Sequence, residues 1–161
     1  MKSIFTTDPV QDIAEFHEHF KLPQREHGKR PDPQMILFRL KFLAEELHEL
    51  NVAAAHDDLE GMLDALVDLA YVAMGTAWLL NLDFNAAWMT VHKANMQKQR
   101  AEKPSDSKRG TTFDVVKPKG WQAPDFKNWI PKEDLALKVD PVKAKNKKQL
   151  DILDYLKELN S

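Results

Sequence analysis

The sequence predicts an all-α protein, built as a four-helix-type bundle with a proline-rich C-terminal arm and a short terminal helix. No proline occurs between residues 34 and 103, and this stretch is rich in Ala, Leu, Glu and Met, which favours helices. Five of the nine prolines lie beyond residue 100. We therefore expect a helical domain at 1–103 and a dependent arm at 104–161. The alternation typical of a strand occurs only briefly, at 111–116.

Proline and aspartate mark the starts of the first two predicted helices. The first is expected at 8–20, where Thr7 or Asp8 can cap the helix and Pro9 occupies its first turn. The second begins at Asp32-Pro33 and runs to about residue 55, with leucines three or four positions apart on one face. Those leucines are Leu40, Leu43, Leu47 and Leu50.

The third predicted helix, at 58–81, is apolar on nearly every side, which indicates a central helix of the bundle. Gly75 interrupts it, and we expect a neighbouring helix to approach closely there. Asp83 caps a fourth helix at about 84–100. Leucines at every third position predict a short amphipathic helix at 147–159.

The composition excludes several classes of protein. The chain has 161 residues and no cysteine, so it cannot hold a disulfide, a thiolate zinc site or a cysteine nucleophile. No charge-free apolar stretch reaches the roughly 18 residues of a membrane span, and the N-terminus has no apolar signal region. We expect a cytoplasmic protein with no membrane partner.

The net charge of −2 conceals an uneven distribution of charge. Residues 42–92 contain nine carboxylates and not one lysine or arginine. Such a block must stay solvated, repel itself or bind cations from elsewhere. The same arithmetic argues against a basic nucleic-acid surface, so no nucleic-acid partner is expected.

Five of these carboxylates are predicted to face one another. Glu45, Glu46 and Glu49 share one side of the second helix, while Asp64 and Asp68 lie one turn apart in the apolar third helix. A buried carboxylate must be paired, protonated or bound to a metal. A short turn between antiparallel helices would bring the two groups opposite each other.

An oxygen-rich cluster without thiolates suits Mg²⁺ or Mn²⁺, and a phosphate-bearing substrate commonly completes such a site. Candidate phosphate ligands follow on the fourth helix, where Lys93, Asn95 and Lys98 lie; favourable charges at a helix C-terminus are the alternative explanation. His48 and His56 are expected to serve as surface or packing residues rather than ligands.

The EExxE motif at 45–49, a DxxxD motif ending at Asp68, and the segment VHKANMQK together resemble a known group. This is the all-α nucleoside triphosphate pyrophosphohydrolase superfamily, which includes MazG-like proteins, dimeric all-α dUTPases and phosphoribosyl-ATP pyrophosphohydrolase. The stretch that contains these motifs looks like a phage- and bacteria-associated branch of this superfamily. The likeness covers about residues 33–100. One departure stands out, because Ala65 occupies the place of the glutamate in the usual ExxD motif.

The resemblance implies a metal-dependent hydrolase that cleaves the bond between the α- and β-phosphates, giving a nucleoside monophosphate and pyrophosphate. It also implies a homodimer or homotetramer whose sites lie at helix interfaces. Glu45 would be a further metal ligand or would orient the attacking water. The implied metal ligands are Glu46, Glu49, Asp64 and Asp68, and the implied phosphate contacts are Lys93, Asn95 and Lys98.

Three functions remain open from the sequence. The first is a Mg²⁺-dependent nucleoside triphosphate pyrophosphohydrolase, and the second is a phosphoribosyl-ATP pyrophosphohydrolase-like enzyme. The third is a non-catalytic helical interaction protein. The tryptophans do not identify a base: Trp78 and Trp88 are expected in the core, whereas Trp121 could cover a nucleotide or contact another subunit.

Overall fold

The computed structural model describes residues 8–137, and it confirms the all-α fold class. One two-stranded antiparallel sheet accompanies the helices, with β1 at Gln99–Arg100 and β2 at Val115–Val116. The terminal helix predicted at 147–159 lies outside the described residues. The helices are α1 (Pro9–His19), α2 (Pro33–Ala55), α3 (Leu59–Leu79), α4 (Phe84–Asn95) and α5 (Lys132–Leu135).

Aspartate caps begin the four long helices. In each case a carboxylate accepts a hydrogen bond from a backbone N–H two or three residues further on, which satisfies one of the free donors of the first turn. The acceptors are Asp8, Asp32, Asp58 and Asp83, and the donors are Val10, Gln34, Gly61 and Ala86. Local sequence alone therefore determines where these helices start.

The described chain forms two compact units. The first contains residues 8–82 and 131–137, and the second contains residues 83–130. In the first unit α2 and α3 pack as an antiparallel pair, and α1 packs against α3. The second unit contains α4 and the small sheet.

The seam between α2 and α3 repeats every seven residues. Because seven residues make almost two helical turns, positions spaced in this way return to the same face. The two glycines of α3 allow the helices to approach. A Cβ added at Gly75 would lie 3.1 Å from Arg39 Nη2, and a Cβ added at Gly61 would lie 3.2 Å from Ala53 Cβ. The α2 side of the seam is Arg39, Glu46 and Ala53, all buried, and the α3 side is Gly75, Asp68 and Gly61.

Arg39 is a buried cation held by neutral oxygens. Its Nε donates to Thr76 Oγ1 at 3.0 Å, and its Nη2 donates to the carbonyl oxygen of Val72 at 2.7 Å. Burial lowers the pKa of Arg39, because desolvation disfavours the charged form. These hydrogen bonds join α2 to α3 at the end of the seam nearest the α2 N-terminus.

His17 packs α1 against α3 near Gly75, at the same end of the seam as Arg39. Its ring stacks on Trp78 with 4.7 Å between the ring centroids, and its Nδ1 donates to the carbonyl oxygen of Ile13 at 2.8 Å. A Cβ added at Gly75 would lie 2.8 Å from His17 Cε1. The close approach predicted at this glycine is therefore confirmed, and Trp78 packs between helices as expected.

The expectation that α3 lies at the centre of a bundle is wrong for the single chain. Of the described helices in its unit, α1 and α2 cover it, and one apolar face stays exposed. This helix is long and apolar enough, by length and composition, to cross a membrane, a property that the core helices of soluble proteins share. The exposed residues of this α3 apolar face are Leu59, Leu63, Leu66 and Val67, each at least 50% exposed.

The second unit departs from prediction at the end of α4. That helix stops at Asn95 rather than near residue 100, because Gln99 and Arg100 pair with β2 instead. Trp121 donates from Nε1 to the carbonyl oxygen of Ala94 at 2.8 Å, which satisfies a carbonyl at the helix end. Trp88, expected in the core, is 61% exposed.

The chain returns to the first unit through a carboxylate with four donors. Asp134 accepts from Arg25 Nη1 and Nη2 at 2.7 and 2.6 Å, from the Gly28 backbone N–H at 2.7 Å and from His27 Nδ1 at 3.1 Å. The hydrogen bonds from Arg25 are the main reason that the pKa of Asp134 lies well below its usual range. This latch attaches residues 131–137 to the loop that follows α1.

Replacing Gly75 by alanine tests the packing of the three helices. In an open helix Gly→Ala adds about 1 kcal/mol of stability. Here the new Cβ meets the His17 ring, so we expect Gly75→Ala to lower the free energy of unfolding by about 1–3 kcal/mol in urea. In a His17→Ala background the loss should largely disappear. A stabilised Gly75→Ala single variant would contradict the packing described.

Candidate active site

Glu46 is the least solvated of the predicted site residues. It lies at the middle of the α2–α3 seam and is only 6% exposed. Its Oε2 atom is buried and has no hydrogen-bond partner among the described residues. An ionised oxygen in this position lacks both water and a donor, so it carries an unfavourable desolvation energy.

The other four predicted carboxylates surround Glu46 closely enough to affect its titration. Burial raises the pKa of Glu46, and the negative charges of Glu49, Asp68, Glu45 and Asp64 raise it further, in that order. All four of these neighbouring charges are negative. The structure thus brings together the five carboxylates that the sequence predicted would converge.

The five carboxylates lie near one another, but they are not arranged in a preformed metal-binding geometry. Within residues 8–137, no group of three histidine or acidic side chains is already arranged to hold a metal ion. The donor set nevertheless fits a hard divalent cation, because it is all oxygen and includes the unpartnered Oε2 of Glu46. Glu46, Glu49, Asp64 and Asp68 are the side chains that could contribute ligands.

An open cleft runs beside this cluster. One cavity of about 380 Å³ is lined by Glu49 and Asp64 together with His48 and His56. A second cavity of about 580 Å³ shares Asp64 with it and continues along α3. The cleft therefore gives a ligand access to two of the predicted metal ligands.

The two histidines, expected at the surface or in packing contacts, both line the cleft. His56 Nδ1 donates to the carbonyl oxygen of Val52 at 2.8 Å, which leaves Nε2 as the nitrogen that can meet a ligand. Sequence pattern alone does not predict this position, because His56 lies in a turn and its neighbours across the cleft come from α3.

The predicted phosphate contacts belong to the second unit. Lys93 and Asn95 are exposed on the last turn of α4, and Lys98 lies beyond the helix end. Lys98 Nζ is 5.8 Å from the centre of the Trp121 ring. The role of these three residues in binding substrate stays a prediction.

The comparison with known families decides which kind of protein this is. Residues 13–95 match the family of phosphoribosyl-ATP pyrophosphohydrolase. The chain belongs to this family. Family membership confirms the resemblance to the all-α nucleoside triphosphate pyrophosphohydrolase superfamily and makes the protein a pyrophosphohydrolase-type hydrolase acting on acid anhydrides.

The family match also bears on the choice among functions. It spans all five clustered carboxylates, and it favours the phosphoribosyl-ATP reading over the broader nucleoside triphosphate reading. No curated protein shows significant similarity to the chain.

The raised pKa of Glu46 leads to a pH-dependent prediction for metal-free protein. The folded state disfavours ionised Glu46, so its contribution to stability is present at low pH and is lost as the pH rises through the raised pKa. We expect Glu46→Gln, in the presence of EDTA, to raise the free energy of unfolding at pH 7.5.

The stability difference should narrow as the pH approaches about 4.3, the ordinary pKa of glutamate. Glu60→Gln, at an exposed position on α3, serves as the control and should have no effect. A destabilised Glu46→Gln variant at pH 7.5 would show that the carboxylate is better satisfied than described.

Proposed function

We propose that the protein hydrolyses the α–β phosphoanhydride bond of a phosphoribosyl-ATP-type nucleotide, releasing pyrophosphate and leaving the nucleoside monophosphate. Family membership supports the reaction class and the substrate type. The observation that carries the proposal is Glu46, a buried carboxylate with an unpartnered oxygen amid four other carboxylates. An ionised carboxylate in this position destabilises the folded protein, and binding of a cation or a proton removes that cost.

We infer that the cation is Mg²⁺ or Mn²⁺, held by Glu46, Glu49, Asp64 and Asp68. When bound, a divalent cation of this kind neutralises phosphate oxygens and lowers the pKa of a coordinated water. The carboxylate oxygens of this chain match that preference, and no thiolate competes because the sequence has no cysteine.

The side chains of this chain would do the remaining work. Glu45 precedes Glu46 in the helix and its charge raises the pKa of Glu46, and it would orient a water or accept its proton. Lys93, Asn95 and Lys98 would contact phosphate oxygens. Phosphoryl chemistry of this kind depends on positioning and charge rather than on a covalent nucleophile, which suits a site of oxygen ligands.

The α3 apolar face supports a homodimer or a larger homo-oligomer. It continues into an apolar groove of about 420 Å³ between α1 and α3, lined by Tyr71 and Met74 among others. Contiguous exposed apolar surface of this kind marks an interaction site. A second copy covering the face would make α3 the interior helix that its sequence suggested. A cytoplasmic location is part of the same proposal.

The interaction-protein alternative fits the site less well. Carboxylates that dock a basic partner gain most when they stay solvated and exposed until the partner binds. Glu46 is buried within its own unit instead, its Oε2 has no hydrogen-bond partner among the described residues, and the neighbouring acids raise its pKa. This position suits a small cation better than a protein side chain.

Product analysis tests the reaction. The protein, with Mg²⁺ or Mn²⁺, should release pyrophosphate and not orthophosphate from phosphoribosyl-ATP, within a panel that also contains the common nucleoside and deoxynucleoside triphosphates. Removing a metal ligand by Glu49→Ala or Asp68→Ala should reduce kcat/KM by more than about 100-fold. Glu15→Ala, at an exposed position on α1, is the control and should leave the rate unchanged.

Each outcome of this assay has a distinct meaning. Orthophosphate as the sole phosphate product, or activity that survives both ligand variants, would overturn the proposed reaction. Turnover of deoxynucleoside triphosphates with inert phosphoribosyl-ATP would assign the substrate to the broader nucleoside triphosphate class.

Thermal unfolding tests the metal site without substrate. Ligand binding to the native state stabilises it by about 2.7 kcal/mol at a hundredfold excess over Kd. Millimolar Mg²⁺ should therefore raise the Tm of the natural sequence by several degrees and leave the Tm of Asp68→Asn almost unchanged. An unchanged Tm of the natural sequence would contradict a metal site formed by these carboxylates alone.

A further inference from the structure

Two lysine side chains in the second unit converge on one tryptophan ring. Lys117 Nζ lies 4.4 Å from the centre of the Trp121 ring, and Lys98 Nζ lies 5.8 Å from the same centre. The ring itself is anchored, because its Nε1 donates to the carbonyl oxygen of Ala94 at 2.8 Å. A fixed indole thus positions two ammonium groups at the end of α4.

The four aspartates of this unit accept hydrogen bonds elsewhere. Residues 83–130 hold nine lysines and arginines against five aspartates and glutamates. Asp114 accepts from Ser107 and Arg109, and within the described part of the chain no carboxylate lies within ion-pair distance of Lys98 or Lys117. Asp83, Asp106 and Asp125 accept from backbone N–H groups.

We propose that Lys98 and Lys117, held against Trp121, form a binding site for the polyphosphate group of a nucleotide. Two ammonium groups that share one ring repel each other unless an anion lies between them. A polyphosphate offers several charged oxygens on one short chain, so it can contact both lysines at once.

A compact ligand fits this cluster better than a nucleic acid does. Single-stranded nucleic acid is typically bound along a basic groove that follows several nucleotides, whereas here two lysines meet at a single ring. The site also lies largely beyond residue 95, where the family match ends, so it concerns a part of the chain that the family does not cover. For Lys98 the proposal rests on the function proposed above, and it adds Lys117 and Trp121 to the residues that hold phosphate.

A metal-free titration tests the site by nuclear magnetic resonance. The protein is ¹⁵N-labelled, inorganic tripolyphosphate is added in the presence of EDTA, and the four indole N–H signals are followed. Trp121→Phe identifies the Trp121 signal by its loss. We expect this signal to shift saturably on addition of tripolyphosphate.

Charge variants make the test specific. Lys117→Met should weaken binding by at least about fivefold, because one of two charge-assisted contacts is lost, and Lys117→Arg should restore it. Lys127→Met removes the same charge from an exposed position of the same unit and should leave the affinity unchanged. Glu49→Gln should bind as the natural sequence does, which separates this site from the carboxylate cluster.

Three results would overturn the proposal. The first is an unmoved Trp121 signal at millimolar tripolyphosphate. The second is equal weakening by Lys117→Met and Lys127→Met, which would indicate diffuse attraction to a basic surface. The third is tighter, Lys117-dependent binding of a single-stranded oligonucleotide than of tripolyphosphate, which would assign the cluster to nucleic acid.

Discussion

The antiparallel contact between α2 and α3 is the constraint on which the first unit depends. Its seven-residue repeat means that one helix register places the buried arginine, the buried glutamate and the closest backbone approach together. A slip of one residue would turn Glu46 by about 100° away from Asp68 and would separate Arg39 from its carbonyl acceptor. The glycines of α3 keep the helices close enough for all of these contacts to form at once.

That register also concentrates negative charge where the helices are closest. Residues 42–92 contain no lysine or arginine, so the two cations of the helix pair, Arg39 and Lys41, both precede the acidic motif of α2. The buried acid is a local loss of stability of the kind that functional sites commonly contain. Arg39 stabilises the opposite end of the same seam through neutral oxygens, so its positive charge remains separate from the acids.

The features that the sequence predicted correctly have local causes. Asp8, Asp32 and Asp83 cap helices because the acceptor and donor lie two or three residues apart, and the five carboxylates converge because a short turn joins their helices. The errors concern distant partners. The end of α4 depends on β2, about 16 residues further on, and the exposure of α3 depends on which surfaces cover it. At Gly75 the close approach was predicted correctly, but its partner His17 lies 58 residues away and no local pattern identifies it.

The Asp134 latch has a consequence for the order in which the chain can be completed. Arg25 meets its carboxylate partner 109 residues later in the sequence, after the whole second unit has been made. During synthesis from the N-terminus, α1 to α3 can pair early because their contacts are nearer in sequence, whereas the loop after α1 must wait for the return segment. The loop after α1 therefore reaches its final hydrogen bonds only when the segment that contains Asp134 has been synthesised.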